Sequence, residues 1–506
     1  MPALFTRREF AFLLTAAAAR LPFAHAASAV TGPSVFDQFP ARPAARPLDW
    51  RKRAADFDNY VLDPANNVLR TRDDGTTFFA SALEGTGDGG LTTFAPIVLG
   101  KLLRGDDVSH LMPSMASYYS EEASIFLDGT HAELCEYWYL MNVNAMAFAI
   151  IRRHRADDPV WRDRVKNSAE RLIAVAQQIK YDFNDQGYVF TKKAPFTHQD
   201  IYRQPDTIGG YAYVLLLAHG ILGDPRYLDE ARSAMQRYLA FSANPWYEIP
   251  SGAMATAAAA RLDFLGHKVD VERAVSFALD PSIHCLHTGK WGNAEVNGLM
   301  AGFRTEPPGE AYSMESLVAL PYLLPMVRLQ PQFANLVGRY ALHVAANMQL
   351  FYSDCIPRAN QSQPGLTAAV PYERLTREVN GHSPFSSGDY GSHRSIYGGA
   401  YALWWGELVQ PAGDDFLLRL DLSRSDFLAA HPPPAWLYYN PYPTKKRVTL
   451  ALGQERVDVW DLAAQQLLGR GHAGNFELTI GGGESRVIAL LPPGTEKKSL
   501  ASVIAG

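Results

Sequence analysis

The spacing of apolar residues between about Arg51 and Val409 is that of helices with one buried face. Apolar side chains recur every three or four positions across 132–155 and again across 160–180, and Pro159 marks the break between the two segments. Few stretches in this part of the chain alternate between apolar and polar residues as strands do. The pattern predicts a mainly α-helical region.

Some of these segments come in pairs, which indicates helical hairpins. The segments 206–219 and 226–241 are separated by a short turn, in which Asp224 can cap the second helix and Pro225 suits its first position. A second pair follows the same order further along the chain, with Pro331 opening its second helix. The predicted unit of this region is therefore the antiparallel helix pair.

Hairpins over about 360 residues predict helix pairs arranged in a ring or a solenoid. No strict sequence period is visible, which favours a closed (α/α) toroid, or barrel of helical hairpins, over a regular repeat array. After Gln410 the chain changes to short alternating or β-rich runs separated by Pro and Gly clusters. We predict a mainly α fold, with an (α/α)-toroid domain over 51–410 and a small C-terminal β-sandwich domain over 411–506.

The first residues have the three parts of an export signal. An arginine pair at 7–8 precedes an apolar stretch, and the small residues Ala24 and Ala26 form a cleavage site. This order predicts a twin-arginine signal peptide over 1–26, a Pro- and Ala-rich lead-in over 27–50, and a periplasmic or secreted protein. The alternatives are an uncleaved signal and an arginine pair on a buried N-terminal helix.

Composition limits the class of protein. Of the 506 residues, 47% are hydrophobic and 11% aromatic, which is enough for a large core and excludes a disordered chain. The mean hydropathy of -0.14 excludes a multi-pass membrane protein, so we expect no stable membrane insertion. A formal net charge of -5 provides no basic field for a phosphate backbone, and nucleic acid is therefore not an expected partner.

The chain lacks the motifs of metal, nucleotide and serine-nucleophile sites. H-E-x-x-H, a P-loop, a G-x-S-x-G elbow and a dinucleotide fingerprint are all missing. Cys135, Cys285 and Cys355 are widely spaced and odd in number, so they allow one disulfide bond but require none. We expect no cofactor and no metal; a metal shared by His284 and His287 is the weaker alternative.

Three long loops combine aromatic rings with amide, guanidinium and imidazole groups. They cover 196–206, 284–312 and 381–394. Long loops in a compact helical fold are usually functional, and aromatic faces beside planar hydrogen-bonding groups suit the C–H faces and hydroxyls of sugars. The loops predict a carbohydrate site, although any single ring can instead cover the core, and Asp206 is equally well explained as a helix cap.

Together these features resemble the (α/α)-toroid carbohydrate-active enzymes. The resemblance is carried by the helical hairpins, the aromatic polar loops, the Gly-Asp-Pro-Arg-Tyr connection at 223–227, and a β-domain introduced by Trp-Leu-Tyr-Tyr-Asn-Pro at 436–441. Within that group the sequence is most similar to the polysaccharide lyases for alginate, glucuronan and related uronate polymers. The resemblance implies β-elimination on an acidic polysaccharide or oligosaccharide.

A uronate lyase offsets the charge of the sugar carboxylate while a Tyr or His removes the proton at C5. A tyrosine base needs neighbouring cations that lower its pKa. We predict Tyr312 as base and acid, with Tyr390 as its substitute. The other predicted catalytic residues are His284 or His393 as helper, and Asn297 with Arg304 against the carboxylate. The predicted substrate-binding residues are Trp291, Glu295, His198, Tyr202, Arg203, Tyr390 and Arg394.

Two other functions fit the same fold. A glycoside hydrolase needs two carboxyl groups flanking the scissile bond; the available acids are Asp200, Asp206, Glu295, Glu315 and Asp389. A non-catalytic periplasmic glycan-binding protein would keep the aromatic rings but would lack a strongly perturbed cluster of titratable groups.

Overall fold

Helices dominate the described chain up to Leu408, and strands dominate it from Val409 onward. The structure is a computed structural model. It describes residues 39–130, 132–283, 285–302, 310–361, 369–374, 376–378 and 394–505. The predicted signal peptide and most of the predicted lead-in lie outside these residues. The helical and strand-rich parts belong to the same compact unit, Pro33–Gly506.

The helices confirm the hairpin pattern that the sequence predicts. They are α1 (Trp50–Leu62), α2 (Gly90–Arg104), α3 (Met112–Ala116), α4 (Tyr137–His154), α5 (Pro159–Gln178), α6 (Thr207–Leu222), α7 (Pro225–Leu239), α8 (Ile249–Phe264), α9 (Val271–Ala278), α10 (Ser313–Leu329), α11 (Ala334–Asn347), α12 (Ile396–Gly399), α13 (Ala402–Leu408) and α14 (Leu500–Ala505). Asp224 caps α7 by accepting from the Arg226 amide at 2.9 Å, and Pro225 occupies the first position of that helix.

The helices form two concentric layers. The inner helices α2, α4, α6, α8, α10 and α13 are apolar on nearly all sides, and all 17 residues of α10 are buried. Outer helices such as α5 and α7 bury one face and expose polar residues on the other. The difference arises because an inner helix contacts protein all round, whereas an outer helix contacts the core on one side only.

The inner helices close into a ring. In order, α2 packs against α4, α4 against α6, α6 against α8, α8 against α10, α10 against α13, and α13 against α2. Each inner helix also packs against an outer helix: α3 lies on α2, α5 on α4, α7 on α6, α9 on α8, α11 on α10, and α1 on α13. The fold is an (α/α) toroid, as the sequence predicts.

The connections at the two ends of the ring differ greatly in length. An inner helix is joined to its outer partner by a short turn, such as 155–158 after α4 or 223–224 after α6. The chain then returns to the next inner helix through long segments, such as 179–206, 279–312 and 348–401. The described parts of the long segments therefore lie at the end of the ring where the inner helices begin.

The strands divide between those long segments and the C-terminal part of the chain. They are β1 (Leu69–Thr71), β2 (Thr77–Phe79), β3 (Tyr119–Ser120), β4 (Ile125–Phe126), β5 (Leu134–Glu136), β6 (Gly187–Val189), β7 (Ala194–Phe196), β8 (Lys290–Trp291), β9 (Ala294–Glu295), β10 (Glu310–Tyr312), β11 (Thr376–Glu378), β12 (Val409–Asp414), β13 (Leu417–Asp421), β14 (Ala435–Tyr439), β15 (Lys446–Asp461), β16 (Gln466–Ile480) and β17 (Ser485–Leu491). The strands β1 to β11 form small ribbons in the long segments.

The predicted C-terminal β domain is present as a single antiparallel sheet with the strand order β12-β13-β14-β17-β15-β16. One face packs against α11, where Gly338 leaves room for Tyr439. The other face covers a second core. There Val448 and Leu450 of β15 meet Leu417 of β13 and Ile488 of β17, although this half of β15 pairs with neither strand. The second layer of the predicted sandwich is thus supplied by the long β15–β16 hairpin, whose register shifts allow it to bend.

Close contact between α2 and α13 depends on a glycine. A Cβ atom at Gly100 would lie 2.4 Å from the Cβ of Leu403. We expect Gly100→Ala to lower the free energy of unfolding by about 1–3 kcal/mol, because the two inner helices must move apart. The matched control is Gly252→Ala in α8, where a Cβ would lie 3.6 Å from its nearest neighbour. Urea unfolding of both variants checks this, and equal stability of the two would contradict the packing.

Within the described part of the chain, no helix combines the length and apolarity needed to cross a bilayer.

Candidate functional site

Acidic and phenolic residues stand immediately before the inner helices, at the end of the ring where the long segments gather. Glu136, Asp206, Glu248 and Tyr312 occupy the positions preceding α4, α6, α8 and α10, and Glu315 lies in the first turn of α10. The positive ends of the helix dipoles point to the same place, which favours negative charge there. The ring thus concentrates carboxyl groups at one mouth.

Hydrogen bonds tie these acids to the segment that leads into α8. Asp206 Oδ2 accepts from the amides of Tyr247 at 2.9 Å and Glu248 at 3.3 Å, and Glu315 Oε2 accepts from the Ile249 amide at 2.8 Å. The interpretation of Asp206 as a cap of its own helix is wrong, since its side chain makes no capping bond to α6. Asp206 instead fixes the backbone that carries Glu248.

Glu248 and Glu315 form a carboxyl pair. The two carboxyl groups are close enough to act on each other, and neither Glu248 Oε2 nor Glu315 Oε1 has a hydrogen-bond partner among the described residues. Burial raises the pKa of Glu248 well above its ordinary value, and the charges of Glu315 and Glu136 add to the effect. Burial also raises the pKa of Glu315, to about 8. Two carboxyl groups in contact cannot both ionise, so the pair holds a proton at neutral pH.

Glu136 is a third carboxyl group, held by two amide side chains. Its Oε1 accepts from Gln186 Nε2 at 2.9 Å, and its Oε2 accepts from Gln204 Nε2 at 3.0 Å. Gln204 is fully buried and is itself fixed, because its Oε1 accepts from the Trp138 amide at 2.8 Å. Both carboxyl oxygens of Glu136 are therefore oriented, and the charge of Glu136 acts on Glu248.

Carboxyl and phenol side chains lie near one another at this mouth, and we call this group the recess. Five residues here are half-buried, so each keeps some exposed surface although it lies among the ring helices. They are Glu136, Tyr139, Glu248, Tyr312 and Tyr397. The centroids of the Tyr139 and Tyr397 rings lie 6.2 Å apart. Burial raises the pKa of each phenol, and the charge of Glu248 raises it further. Asp206 and Glu315 are fully buried behind this surface. The recess offers carboxyl oxygens and ring faces to the same small volume.

Tyr312 faces this recess, but its surroundings are anionic. Burial raises its pKa, and the charges of Glu248 and Glu315 raise it further. A tyrosine base requires the opposite shift. The described neighbours of Tyr312 therefore favour a hydrogen-bonding or stacking role over proton abstraction.

Several predicted site residues lie outside the described residues. They are the predicted catalytic residues His284, Arg304 and His393, the predicted substrate-binding residue Tyr390, and Asp389 of the hydrolase alternative. Their roles stay predictions.

Asn297 and Glu295 participate in a network against the outer helix α11. Asn297 Oδ1 accepts from the Gly289 amide at 2.6 Å and its Nδ2 donates to Glu295 Oε1 at 2.7 Å. Glu295 also pairs with His343 at 2.7 Å, and although burial opposes it, the His343 contact lowers the pKa of Glu295 to about 2. These bonds explain both side chains as ties between the 285–302 segment and α11.

The other predicted binding residues occupy three places. The Trp291 ring packs edge-on to His287, with the centroids 4.7 Å apart. His198 is exposed and bonds to Gln186, the same side chain that holds Glu136. Arg203 pairs with Asp185 and Asp200.

Tyr202 and Arg394 complete the set. Tyr202 is half-buried in the segment that leads to Asp206. Arg394 is buried in an ion pair with Glu84 at 2.7 Å and donates to the Val370 carbonyl at 3.3 Å, so its charge is already balanced. Of the described predicted residues, Tyr312 lies at the recess and His198 lies one side chain from Glu136.

Sequence reasoning missed Glu136, Gln204 and Glu248. Their position was the available signal. Glu136 and Glu248 directly precede α4 and α8, and Gln204 lies two residues before Asp206, which precedes α6. Asp206 and Glu315 are among the acids that the sequence offers for the hydrolase alternative. Among the described residues, no group of three or more His, Cys, Asp or Glu has the arrangement of a metal site, and the three cysteines are free.

Comparisons with known proteins were made for the chain as a whole. No protein-family model matches it, and no curated protein does. Among solved structures it is similar to cellobiose 2-epimerase from Bacillus thermoamylovorans, with 8% identity and a TM-score of 0.47 over 71% of this chain and 98% of that one. It is also similar to a sugar epimerase from a ruminal bacterium, with 10% identity and a TM-score of 0.45 over 70% and 98%.

A third similar structure is a family 76 glycoside hydrolase from a bovine Bacteroides thetaiotaomicron strain, with 9% identity and a TM-score of 0.43 over 71% of this chain and 77% of that one. By their names these three proteins process sugars, and none of the three is named as a lyase. At TM-scores below 0.5 the likeness supports no statement about the substrate or reaction of this chain.

Proposed function

We propose that this protein is a glycoside hydrolase that cleaves a neutral polysaccharide or oligosaccharide by acid catalysis in the recess. The observation that carries the proposal is the buried carboxyl pair of Glu248 and Glu315, whose pKa values are both raised, beside the Glu136 carboxyl group that two amide side chains hold. Glycoside hydrolysis needs one protonated and one ionised carboxyl group at the scissile bond. A strongly perturbed pair also favours an enzyme over a non-catalytic glycan-binding protein.

The positions suggest a role for each acid. Glu248 is half-buried at the recess and shares the proton, so it is the general acid that protonates the leaving oxygen. Glu315 is fully buried and keeps that proton in place. Asp206 positions Glu248 through its backbone amide. Glu136 is half-buried and accepts from two amides, so it is the second carboxyl group, which acts on water or on the sugar.

The charge of the site favours a neutral sugar. Glu136, Asp206 and Glu315 all act on Glu248, and Asp206 also acts on Glu315. A uronate carboxylate placed among them would be repelled unless a cation lay against it. The cations that the lyase hypothesis requires, Arg304 with His284 or His393, lie outside the described residues and stay predictions.

Replacement of Tyr312 separates the two reactions. If the phenol is the base of a lyase, Tyr312→Phe abolishes activity. In a hydrolase driven by Glu248 the phenol only contacts the sugar, so we expect kcat/KM to fall by less than about tenfold, the loss of one hydrogen bond. Steady-state kinetics on the best substrate check this, and complete inactivation with an intact fold would return the proton transfer to Tyr312.

The raised pKa of Glu315 predicts a dependence on pH. The folded protein keeps a proton up to about pH 8, whereas in the unfolded chain the group has its ordinary pKa of 4.5. The stability that this group contributes is therefore complete below its unfolded pKa and is lost as the pH rises through about 8. We expect kcat/KM to fall over the same alkaline range, because the pair loses its proton.

Urea unfolding from pH 5 to 9 measures the effect on stability. As the pH rises, the wild type should lose up to about 1.4 kcal/mol of stability per pH unit relative to Glu315→Gln, because the amide of the variant does not titrate. Parallel curves for the two proteins would show that Glu315 is ionised in the folded state and would contradict the proposed pair.

A panel of neutral and uronate glycans tests the reaction itself. We expect new reducing ends on a neutral glycan, without the ultraviolet absorbance of an unsaturated product. Absorbance that rises together with reducing ends on a uronate polymer would establish a lyase instead. Retention on a glycan column without cleavage would establish a binding protein.

We propose further that the protein is exported, as the arginine pair and cleavage site within 1–26 predict. Expression of the full chain with and without these residues tests this: the full chain should be found outside the cytoplasm and the shortened chain inside it. The same location for both would contradict export.

A further inference from the structure

A cluster of arginines lies at the opposite end of the ring. The last turns of the inner helices carry Arg152 and Arg153 on α4, Arg261 on α8 and Arg328 on α10. Cations at helix C-termini are favoured by the helix dipole, which by itself explains single arginines there. It does not explain why several converge on one buried place.

These arginines share the carboxylate of Asp426. Arg328 donates directly to Asp426, and Arg153 donates to the Asp426 carbonyl at 2.8 Å. The charge of Asp426 also acts on Arg152 and Arg261. Among the described residues of this cluster, one carboxylate thus faces four guanidinium groups.

A cavity of about 120 Å³ opens beside this cluster. Its polar lining comes from Arg152, His219 and Arg261, and leucines supply most of the rest. The Nε and Nη1 atoms of Arg152 are buried and have no hydrogen-bond partner in the part of the chain that the structure describes. Buried guanidinium donors without a partner are costly, and the cavity has room for several water molecules or one small ion.

A glycine makes this arrangement possible. A Cβ atom at Gly220 of α6 would overlap Arg152 Nη1, so a side chain there would displace the guanidinium from its present position against that helix. Burial lowers the pKa of Arg152 to about 10, and the charges of Arg261 and Arg153 also lower it. The charge of Asp426 opposes these effects but does not outweigh them.

We propose that this cavity binds a small tetrahedral oxyanion, phosphate or sulfate, between Arg152 and Arg261. The planar donor fork of arginine matches two oxygens of such an ion. The ion would add negative charge to this cluster and satisfy the buried donors of Arg152. Since it would lie at the ends of α4, α6 and α8, binding would also stabilise the closed ring at the end remote from the carboxyl recess.

Isothermal titration calorimetry of the full chain tests the proposal. Sodium phosphate and sodium sulfate are titrated separately at constant ionic strength in chloride. We expect saturable binding of one ion per chain for at least one of the two salts, and the comparison identifies which. Absence of saturable binding for both would overturn the proposal, as would tighter binding of sodium acetate, since a carboxylate would then be the ligand.

Two variants test the position of the ion. Arg152→Met removes the unpartnered donors, and Gly220→Ala keeps every charge but forces Arg152 out of place. We expect each to weaken binding at least tenfold, while Arg51→Met, an exposed arginine of α1, leaves it unchanged. If Arg152→Met does not fold, Gly220→Ala decides. Wild-type affinity in the folded variants would overturn the proposal. Glu248→Gln should bind the ion normally, so this result is independent of the proposed hydrolysis.

Discussion

Glu248→Gln is expected to lower kcat/KM for an unactivated glycan by about 10²–10⁴-fold. The amide has the shape of the protonated carboxyl group and can keep a hydrogen bond to Glu315, so the fold and the recess should persist. It cannot deliver a proton to the leaving oxygen, however. Because the lost interaction exists only in the transition state, the loss should appear in kcat with little change in KM.

Two control variants accompany this prediction. Glu121→Gln changes an acid whose side chain is 81% exposed and should leave the kinetics unchanged. Glu295→Gln changes an acid that the sequence placed at the substrate and the structure ties to His343; we expect it to keep most of the activity. Full activity of Glu248→Gln would remove Glu248 from the mechanism, and inactivation by Glu295→Gln with an intact fold would restore the sequence-based site.

Asp426→Ala is expected to lower the free energy of unfolding by about 3–5 kcal/mol. Burial would raise the pKa of Asp426, but the charges of Arg328 and Arg261 outweigh it and hold the pKa below its ordinary value. Its Oδ1 also accepts from the amides of Leu428 and Ala429, both at 3.1 Å. Removing the carboxylate leaves buried arginines uncompensated and two amides without their acceptor.

Chemical denaturation at neutral pH measures this loss. The matched control is Asp229→Ala in α7, which breaks an exposed pair with Arg232 and should change stability by less than about 1 kcal/mol. A loss in Asp426→Ala no larger than in the control would show that the arginines are balanced by other groups or by solvent.

The architecture could be predicted from the sequence because its signals are local. Asp224 and Pro225 mark a helix start whatever lies nearby, and the change of residue pattern after Gln410 coincides with β12, which begins at Val409. The arrangement of the C-terminal strands was harder to predict, because it depends on which half of β15 pairs with β17 and on the register shifts between β15 and β16. No residue pattern marks either feature.

The site could be predicted only in part, because its residues come from separate hairpins. Loop length and aromatic content directed attention to the segment that ends at Tyr312, which does face the recess. Glu248 lies at the end of the 240–248 connection, which is aromatic but short, and its importance comes from its closeness to Glu315 on the neighbouring inner helix. Asn297 and Glu295 have polar side chains suited to a sugar site, but their hydrogen bonds and the Glu295–His343 pair hold the 285–302 segment against α11.

The most direct test of the carboxyl recess is the dependence of the Glu248→Gln variant on the leaving group. Aryl glycosides of the sugar that the panel identifies are compared, from a poor phenol leaving group to dinitrophenol, which departs without protonation. The account predicts that the variant is severely impaired on the poor leaving group and nearly as fast as the wild type on dinitrophenol. An equal loss on both substrates would contradict the assignment of Glu248 as the acid.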